Sequence, residues 1–365
     1  MNESGLSLEQ RLALVESVGE EITTKEELKN LLLNKHDLVA YDGFEPSGKI
    51  HLPQGLLRAI NINKMIKAGF QFKVLVADWH AWANHKMGGD LGKIRLVGEY
   101  FIEVWKAAGL NLDQVEFVWA SDLVKTEGYW DLVMKIAVKN NLPRIIRTVQ
   151  IMGRNETDSL TASQIIYPLM QAADIFMLKA DVTQLGMDQR KVNMLAREAA
   201  EDLGFVKPVV VSHHMLLGLL PPSDTTGEES TTDRAIRLKM SKSKPDSAIF
   251  MTDSPDEVKR KISNAWCPEG QATENPILEY FKYFVFQKID TVVIERAKKH
   301  GGDLEFKSYQ ELEDVFVQKK LHPQDLKNSL AEYINEFLEP VQNHFENNAD
   351  AKKLKEEVET LKVTR

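Results

Sequence analysis

One cysteine, Cys267, stands in 365 residues. That count excludes an internal disulfide and a cysteine-built metal cluster, and it fits a reducing compartment. Long apolar runs are also missing: none approaches the roughly 20 residues that a membrane-spanning helix needs. The opening stretch, MNESGLSLEQRLALVESVGEE, is polar and acidic, without the positive-then-apolar order of a secretory signal. Positive charge is in short supply, with 46 Lys and Arg against 54 Asp and Glu and a formal net charge of −8. A nucleic-acid partner would have to be met by local basic patches. No internal repeat is visible. A soluble, intracellular protein is the expectation.

The chain is long enough, and at 43% hydrophobic apolar enough, for a sizeable core and two domains of roughly 100–200 residues each. Ser7 to Leu33 reads as helix, with TTKEELKNLLL supplying a Thr cap and an early Glu pair. A short strand ending near Tyr41 follows, then a Gly/Pro loop and a helix opening near His51. FQFKVLVADWHAWAN reads as a buried parallel strand with Asp78 and His80 at its end. VEFVWASD and KPVVVSHH read as further strands with helical patterns between them. Such alternation predicts an α/β, doubly wound parallel sheet, whose ligands gather at the carboxyl ends of the strands. Tyr41, Asp78, His80 and Ser121 lie at such ends.

Pro221 to Arg237 is a polar, apolar-poor loop that delivers the stretch RLKMSKSKPDSAIF. There Lys239, Lys242 and Lys244 alternate with Ser241, Ser243 and Ser247, either as a basic loop or as a grip on phosphates. TDSPDEVKRKISNAW announces a helix, with Ser254 as cap, Pro255 in the first turn and Glu257 closing a capping box. From there to about Phe345 the chain reads as all helical, a second and smaller domain. Residues 346–365 read as a charged helix or tail.

Three stretches carry candidate chemistry. From Ile165 to Leu178 nearly every residue is apolar, a helix buried on most sides. Tyr167, Gln171 and Asp174 share one of its faces by their spacing. An unpaired buried carboxylate costs several kcal/mol, by order of magnitude, and so needs a partner. The partner is either an internal hydrogen-bond network or a small polar ligand. QLGMDQRKVNMLARE is a turn leading into a helix, with Gln189 able to face a ligand and Arg190 and Lys191 facing outward. EPSGKIHLPQG places Gly48, His51 and Gln54 in a helix entrance, whose free N–H groups suit a phosphate.

Taken together and in this order, YDGFEPSGKIH, YPLMQAADI, GMDQRK, KMSKS, GGDL and LHPQDLKN resemble a class I aminoacyl-tRNA synthetase. More closely, they resemble the tyrosyl-tRNA synthetases of archaeal and eukaryotic type, from about Ile22 to Pro340. The resemblance implies a Rossmann-like catalytic domain over residues 1–252, with the KMSKS loop at 239–243, and a helical anticodon-binding domain over 253–345. It implies that Tyr41 and Asp174 hydrogen-bond a substrate phenol, and that Tyr167, Gln171, Gln189 and Glu45 receive the amino-acid end. It implies ATP contacts from Gly48, His51, Gln54, Lys239, Ser241, Lys242 and Ser243, with Lys239, Lys242 and His51 in catalysis.

The first signature departs from the usual His-x-Gly-His form, since Pro53 and Gln54 stand where Gly and the second His are usual. By the same resemblance Arg147 and Arg190 meet the acceptor stem of tRNA, and His300, His322 and Asp325 meet the anticodon. The helix PQDLKNSLAEYI could instead use Asp325 as its cap. Cys267, in AWCPEG, a stretch resembling a structural turn, is expected to pack in the core. The implied partners are tRNA(Tyr), L-tyrosine and ATP, in a cytoplasmic homodimer without a membrane. No metal site and no tightly bound cofactor are expected, Mg²⁺ arriving with ATP. The tryptophan enzyme, which has no need of a Tyr41–Asp174 pair directed at a phenol, is the nearest rival. A non-catalytic relative that binds RNA is another.

Overall fold

A computed structural model describes residues 5–154, 156–222, 231–240 and 244–361. Helix α1 (Leu8–Glu16) begins at a reciprocal box between Ser7 and Gln10. The single helical stretch expected over Ser7 to Leu33 is interrupted by strand β1 (Glu21–Thr23) before helix α2 (Lys25–Asn34). The break has a packing cause. Glu21 to Thr23 pair antiparallel with Val210 to Ser212, and Gly19, whose Cβ would stand 2.9 Å from Ile22 and 3.0 Å from Val211, admits that close approach. Thr24 does cap α2, accepting from the Glu27 N–H at 3.1 Å while Glu27 bonds back to the Thr24 N–H.

Strand β2 (Leu38–Phe44) continues past its expected end near Tyr41, because β3 (Phe70–Val76) pairs with it from Leu38 opposite Phe70 to Phe44 opposite Val76. Between them the chain makes a wide turn at Pro53–Leu57 and helix α3 (Arg58–Lys67). After β3 come α4 (Asp78–Ala83), α5 (Leu91–Ala107), β4 (Val115–Trp119) and the short α6 (Ala120–Leu123). Helices α7 (Tyr129–Val138), α8 (Leu142–Thr148) and the buried α9 (Ala162–Met177) lead to β5 (Val182–Thr183). Helix α10 (Arg190–Asp202) and β6 (Val209–Ser212) follow.

The six strands form one sheet in the order β1-β6-β5-β2-β3-β4, parallel except for β1, which lies antiparallel on β6. From β2 the chain winds outward through β3 and β4, then returns to the other side of β2 for β5 and β6. The crevice between the carboxyl ends of β2 and β5 is therefore the switch point where doubly wound sheets bind ligands.

The loop expected over Pro221 to Arg237 ends in helix: α11 spans Thr231–Leu238. Helix α12 (Pro255–Asn264) starts at Ser254, whose Oγ accepts from the Glu257 N–H at 3.3 Å. The expected box is only half made, because the Glu257 carboxylate accepts from Arg260 Nε at 2.8 Å instead. Helices α13 (Pro276–Tyr280) and α14 (Phe286–Lys288) come next. The region is not all helical: β7 (Val292–Ile294) pairs antiparallel with β8 (Leu304–Phe306). Its β-branched run favours a strand, and Gly301 at φ +98° and Gly302 at φ +78° make the return.

Helices α15 (Tyr309–Val317), α16 (Pro323–Asn347) and α17 (Ala349–Thr360) complete the chain. The charged last stretch is thus a packed helix that buries Ala351 and Val358. Beside it, His344 Nε2 lies 2.8 Å from Glu103 on α5, and the Phe345 and Tyr100 rings sit 5.6 Å apart. Phe72, Phe101, Phe250, Phe281, Leu330 and Phe345 all belong to a single apolar cluster, so the core runs from the sheet into the helices without a gap. Cys267 is half-buried, with Asn275 Nδ2 donating to its Sγ at 3.4 Å.

Candidate active site

A cleft of about 380 Å³ opens at the β2–β5 switch point. It gathers Tyr41 and Glu45 from β2 and its exit, His51 and Gln54 from the turn before α3, Tyr167, Gln171 and Asp174 from α9, Gln189 before α10, and Lys239. These residues lie far apart in sequence, and the sheet topology brings them to one place.

At its floor Asp174 is fully buried and doubly held. Tyr129 Oη donates to Asp174 Oδ1 at 2.8 Å, and His80 Nε2 lies 2.9 Å from Asp174 Oδ2. Burial is the largest influence and disfavours the His80 cation, but the Asp174 charge and hydrogen bond, joined by the charges of Glu45 and Asp78, together outweigh it and the imidazole pKa is raised. The Tyr41 hydroxyl, equally buried, makes no well-formed hydrogen bond among the described residues. Burial first, then the Asp174 charge, push its phenol well up, so it is a neutral donor. A buried hydroxyl donor beside a carboxylate whose Oδ2 has His80 close by but makes no well-formed hydrogen bond is what a ligand hydroxyl needs.

The walls are set by further contacts. Gln171 Nε2 donates to Gln189 Oε1 at 3.0 Å, and Gln189 Nε2 to the Ile151 carbonyl at 2.9 Å, so the two amides hold each other in register. Asn84 Nδ2 donates to Glu45 Oε1 at 2.9 Å, and Lys86 Nζ stands 3.7 Å from Glu45 Oε2. Asp78, expected at a strand end, does not line the cleft: its Oδ1 accepts from the N–H groups of Trp79 at 2.9 Å and Ser121 at 2.8 Å, tying the start of α4 to α6.

On the other side Arg58 Nε meets Asp42 Oδ2 at 2.8 Å, and burial pushes the Asp42 carboxyl up to about 7 against the pull of that guanidinium. Lys239 Nζ meets Asp188 Oδ2 at 2.6 Å, and although burial opposes it, the lysine charge lowers the Asp188 pKa. His213 Nδ1 lies 2.7 Å from Gln184 Nε2, and burial drives this imidazole well below its ordinary range, so it is neutral.

The helix entrance differs from expectation. Its N–H groups are not free: Leu52 donates to the Ile249 carbonyl, and Gln54 and Gly55 both donate to the His51 carbonyl. What the entrance offers is side chains, since Gly48 at φ +109° turns the loop so that Ser47, His51 and Gln54 line the cleft. Gly48 itself does not line it. Ser241, Lys242 and Ser243 lie outside the described residues.

The other site residues lie elsewhere. Arg147 and Arg190 are near one another on the surface, since Lys191 Nζ donates to the Arg147 carbonyl at 3.1 Å. Arg190 Nε also meets Glu21 at 2.7 Å. His300 and His322 belong to two turns joined by one side chain: Arg296 donates to the Gly302 carbonyl at 2.9 Å and to the Lys320 carbonyl at 3.1 Å. Asp325 does not cap α16. The cap is His322, whose Nδ1 accepts from the Gln324 N–H at 3.1 Å.

His80, Tyr129, Asn84, Asp42, Arg58, Asp188 and His213 are the site's less legible members. His80 had a signal in its place at a strand end. Tyr129 had none, because its partner Asp174 is 45 residues away.

The model of the class I tRNA synthetase family that takes in the tryptophan (W) and tyrosine (Y) enzymes matches residues 33–339, and the chain belongs to that family. Its relatives narrow the group. The cytoplasmic tyrosine–tRNA ligase 1 of Arabidopsis thaliana is 51% identical over 98% of this chain and 90% of its own length. A tyrosine–tRNA ligase of Saccharolobus islandicus is 44% identical over 93% of this chain and 95% of its own. The crystal structure of tyrosyl-tRNA synthetase from Pyrococcus horikoshii, complexed with L-tyrosine, superposes with a TM-score of 0.90 at 37% identity. It covers 96% of this chain and 100% of that one. The kinship is with the tyrosine enzymes over nearly the whole chain.

Proposed function

We propose that the cleft activates L-tyrosine with ATP and that the enzyme transfers the tyrosyl group to tRNA(Tyr), as a tyrosine–tRNA ligase. The observation that carries this reading is the buried pair on its floor, the Tyr41 hydroxyl and the Asp174 carboxylate, which together can grip a phenol at both its lone pair and its proton. Tyr167, Gln171, Gln189 and Glu45 then receive the ammonium end.

With tyrosine so held, its carboxylate attacks the α-phosphorus of MgATP in line. A bond forms between carboxylate oxygen and phosphorus, the bond to the bridging oxygen breaks, and pyrophosphate leaves with the electron pair. No nucleophilic side chain takes part, so the acceleration comes from positioning and from charge placed where charge develops. Lys239 supplies that charge from the cleft edge, joined by Lys242, with Ser241 and Ser243 as donors. His51 and Gln54 receive ATP from the α3 side, and a neutral Gln54 offers a hydrogen bond where a histidine could offer a cation.

The division of labour along the chain follows. Residues 1–252 perform activation and residues 253–345 recognise the anticodon through His300, His322 and Asp325. Arg147 and Arg190 receive the acceptor stem. Trp82, Trp130, Met134 and Val138 leave an apolar patch on α4 and α7, with Met134 59% and Val138 80% exposed, and this supports a homodimer formed across it. The chain's likeness to the cytoplasmic enzyme of Arabidopsis thaliana supports a cytoplasmic setting. Tyrosine-dependent ATP–pyrophosphate exchange tests the assignment: exchange with tyrosine and none with tryptophan is expected, and the reverse preference would overturn it.

A further inference from the structure

The segment after β6 reads HHMLLG, and its two histidines part company. His213 turns into the cleft, whereas His214 also reaches the base of the helical region. His214 Nδ1 lies 3.0 Å from Glu20 Oε2, and its Nε2 lies 3.0 Å from Glu279 Oε1 on α13. Two carboxylates can both be satisfied only if both ring nitrogens donate, which makes this side chain an imidazolium. Its ring lies flat on Tyr283, with centroids 4.7 Å apart and planes at 4°.

Glu279 has a second oxygen, and its use is the informative one. Glu279 Oε2 accepts from the Leu217 N–H at 2.9 Å, and the next residue, Tyr280, donates its hydroxyl to the Leu217 carbonyl at 3.0 Å. Helix α13 thus holds both polar groups of one residue. Leu217 is in turn the antiparallel bridge partner of Lys239. On either side of that bridge the Gly218 N–H donates to the Leu238 carbonyl at 2.8 Å, and the Met240 N–H donates to the Leu216 carbonyl at 3.0 Å. The backbone on either side of Lys239 is therefore fastened to the residues flanking Leu217, and Leu217 itself to α13.

We propose that Glu279, oriented by His214 and assisted by Tyr280, is a positioning residue for Lys239, so that helix α13 sets where the first lysine of the KMSKS segment stands in the cleft. The chain of contact runs from the His214 imidazolium to the Glu279 carboxylate, to the Leu217 peptide, and through the bridge bonds of Leu216 and Gly218 to the backbone flanking Lys239. A carboxylate that accepts from a backbone N–H and a cation at once is a stiff strut, since charge-assisted bonds are the strong ones. Lys239 needs such support because its own side chain is long and its Asp188 partner must yield when phosphate arrives. The proposal rests on the reading of Lys239 as the lysine that stabilises departing pyrophosphate.

The test is a double-mutant cycle on the full-length enzyme, read by tyrosine-dependent pyrophosphate exchange at saturating tyrosine. Glu279→Ala is expected to slow exchange about tenfold, the scale of one lost charge-assisted hydrogen bond, with tyrosine Kd unchanged. Glu279→Gln keeps an acceptor for the Leu217 N–H and should recover most of that rate. In a Lys239→Ala background Glu279→Ala should slow exchange no further, because the group it positions is gone. Equal slowing in both backgrounds would overturn the proposal, as would an unchanged rate in Glu279→Ala alone. Should Glu279→Ala fail to fold, Tyr280→Phe removes only the hydroxyl on Leu217 and must show the same dependence on Lys239. A Lys239→Ala enzyme that exchanges at the parental rate would remove the reading of Lys239 itself, an outcome distinct from loss of the strut.

Discussion

Asp174 Oδ2 stands 2.9 Å from His80 Nε2, and both side chains are sealed from water, at 0% and 2% exposure. A buried ion pair of this kind adds little net stability, because desolvation offsets much of its attraction. Its use is to aim the Asp174 carboxyl group, with Tyr129 holding the other oxygen. The carboxylate is then ready for a phenol before the phenol arrives.

Removing that carboxylate should hurt twice. Asp174→Ala leaves His80 and Tyr129 facing an empty site, and we expect a stability loss of about 3 kcal/mol and a fall in tyrosine activation of at least about a hundredfold. Phenylalanine, lacking the hydroxyl, should be rejected by the parent enzyme, because the buried Tyr41 hydroxyl would be left without a partner and Asp174 without the ligand proton. Tyrosyl-tRNA synthetases are themselves the standing illustration of that rule: a site built to bond a hydroxyl refuses the analogue without one. Urea denaturation and pyrophosphate exchange with each amino acid check both points.

Lys239 should matter for the reaction and not for tyrosine binding. In the proposed role its contact with phosphate would strengthen as negative charge gathers on the leaving group, so Lys239→Ala should slow tyrosyl-adenylate formation by about one hundredfold with tyrosine Kd unaltered. Single-turnover kinetics would separate the two; weaker tyrosine binding with normal chemistry would contradict the role.

The His214 node gives a pH dependence of stability with a definite sign. Burial works against its charge, but Glu20 and Glu279 raise its pKa to about 9, above the ordinary 6.5. The other groups around it are the Tyr283 ring, Lys282 near Glu20, and the neighbouring His213. A raised pKa means the contribution is fully present below pH 6.5, declines as pH rises, and is gone above about 9, with a size of about 3 kcal/mol at most. His214→Gln should therefore be less stable than the parent at pH 6 and nearly equal to it at pH 10. Thermal denaturation at the two pH values checks this, since other titrating groups cancel in the difference.

Asp325 can be tested cleanly because His322 supplies the cap of α16. Asp325→Asn should leave thermal stability and pyrophosphate exchange unchanged while lowering kcat/KM for tRNA charging and blunting the preference for the native anticodon. His322→Ala should cost about 1 kcal/mol as a lost cap. Charging of native and anticodon-altered tRNA, measured for both variants, distinguishes recognition from helix support.

Long, buried or strongly periodic segments are legible in the chain itself. The β3 run and the α9 face carrying Tyr167, Gln171 and Asp174 are of this kind, because burial on both sides leaves an unmistakable apolar pattern. Strands β1 and β5 are not legible: one has three residues and the other two, and their pairing comes from β6 and β2 rather than from their own propensity. The β7–β8 hairpin does leave a sign, the run Val292–Val293–Ile294 with Gly301 and Gly302 beyond it, which the helical patterns on either side mask. Tyr129, Arg58 and Asp188 are out of reach for another reason. Their roles depend on charges brought close only by the closed sheet, and nothing in their local neighbours records that.

The packing of the end of α16 on α5 also bears on how the chain is made. Tyr100 on α5 is covered by Phe345, near the end of α16, so the outer side of an early helix stays wet until almost the whole chain has been synthesised. A nascent chain emerging in order can close its sheet once β6 has appeared, yet α5 must wait for the last helices before it is dry. Synthesis that stops short of Phe345 would release a protein with that surface open, a ready substrate for chaperones and proteases.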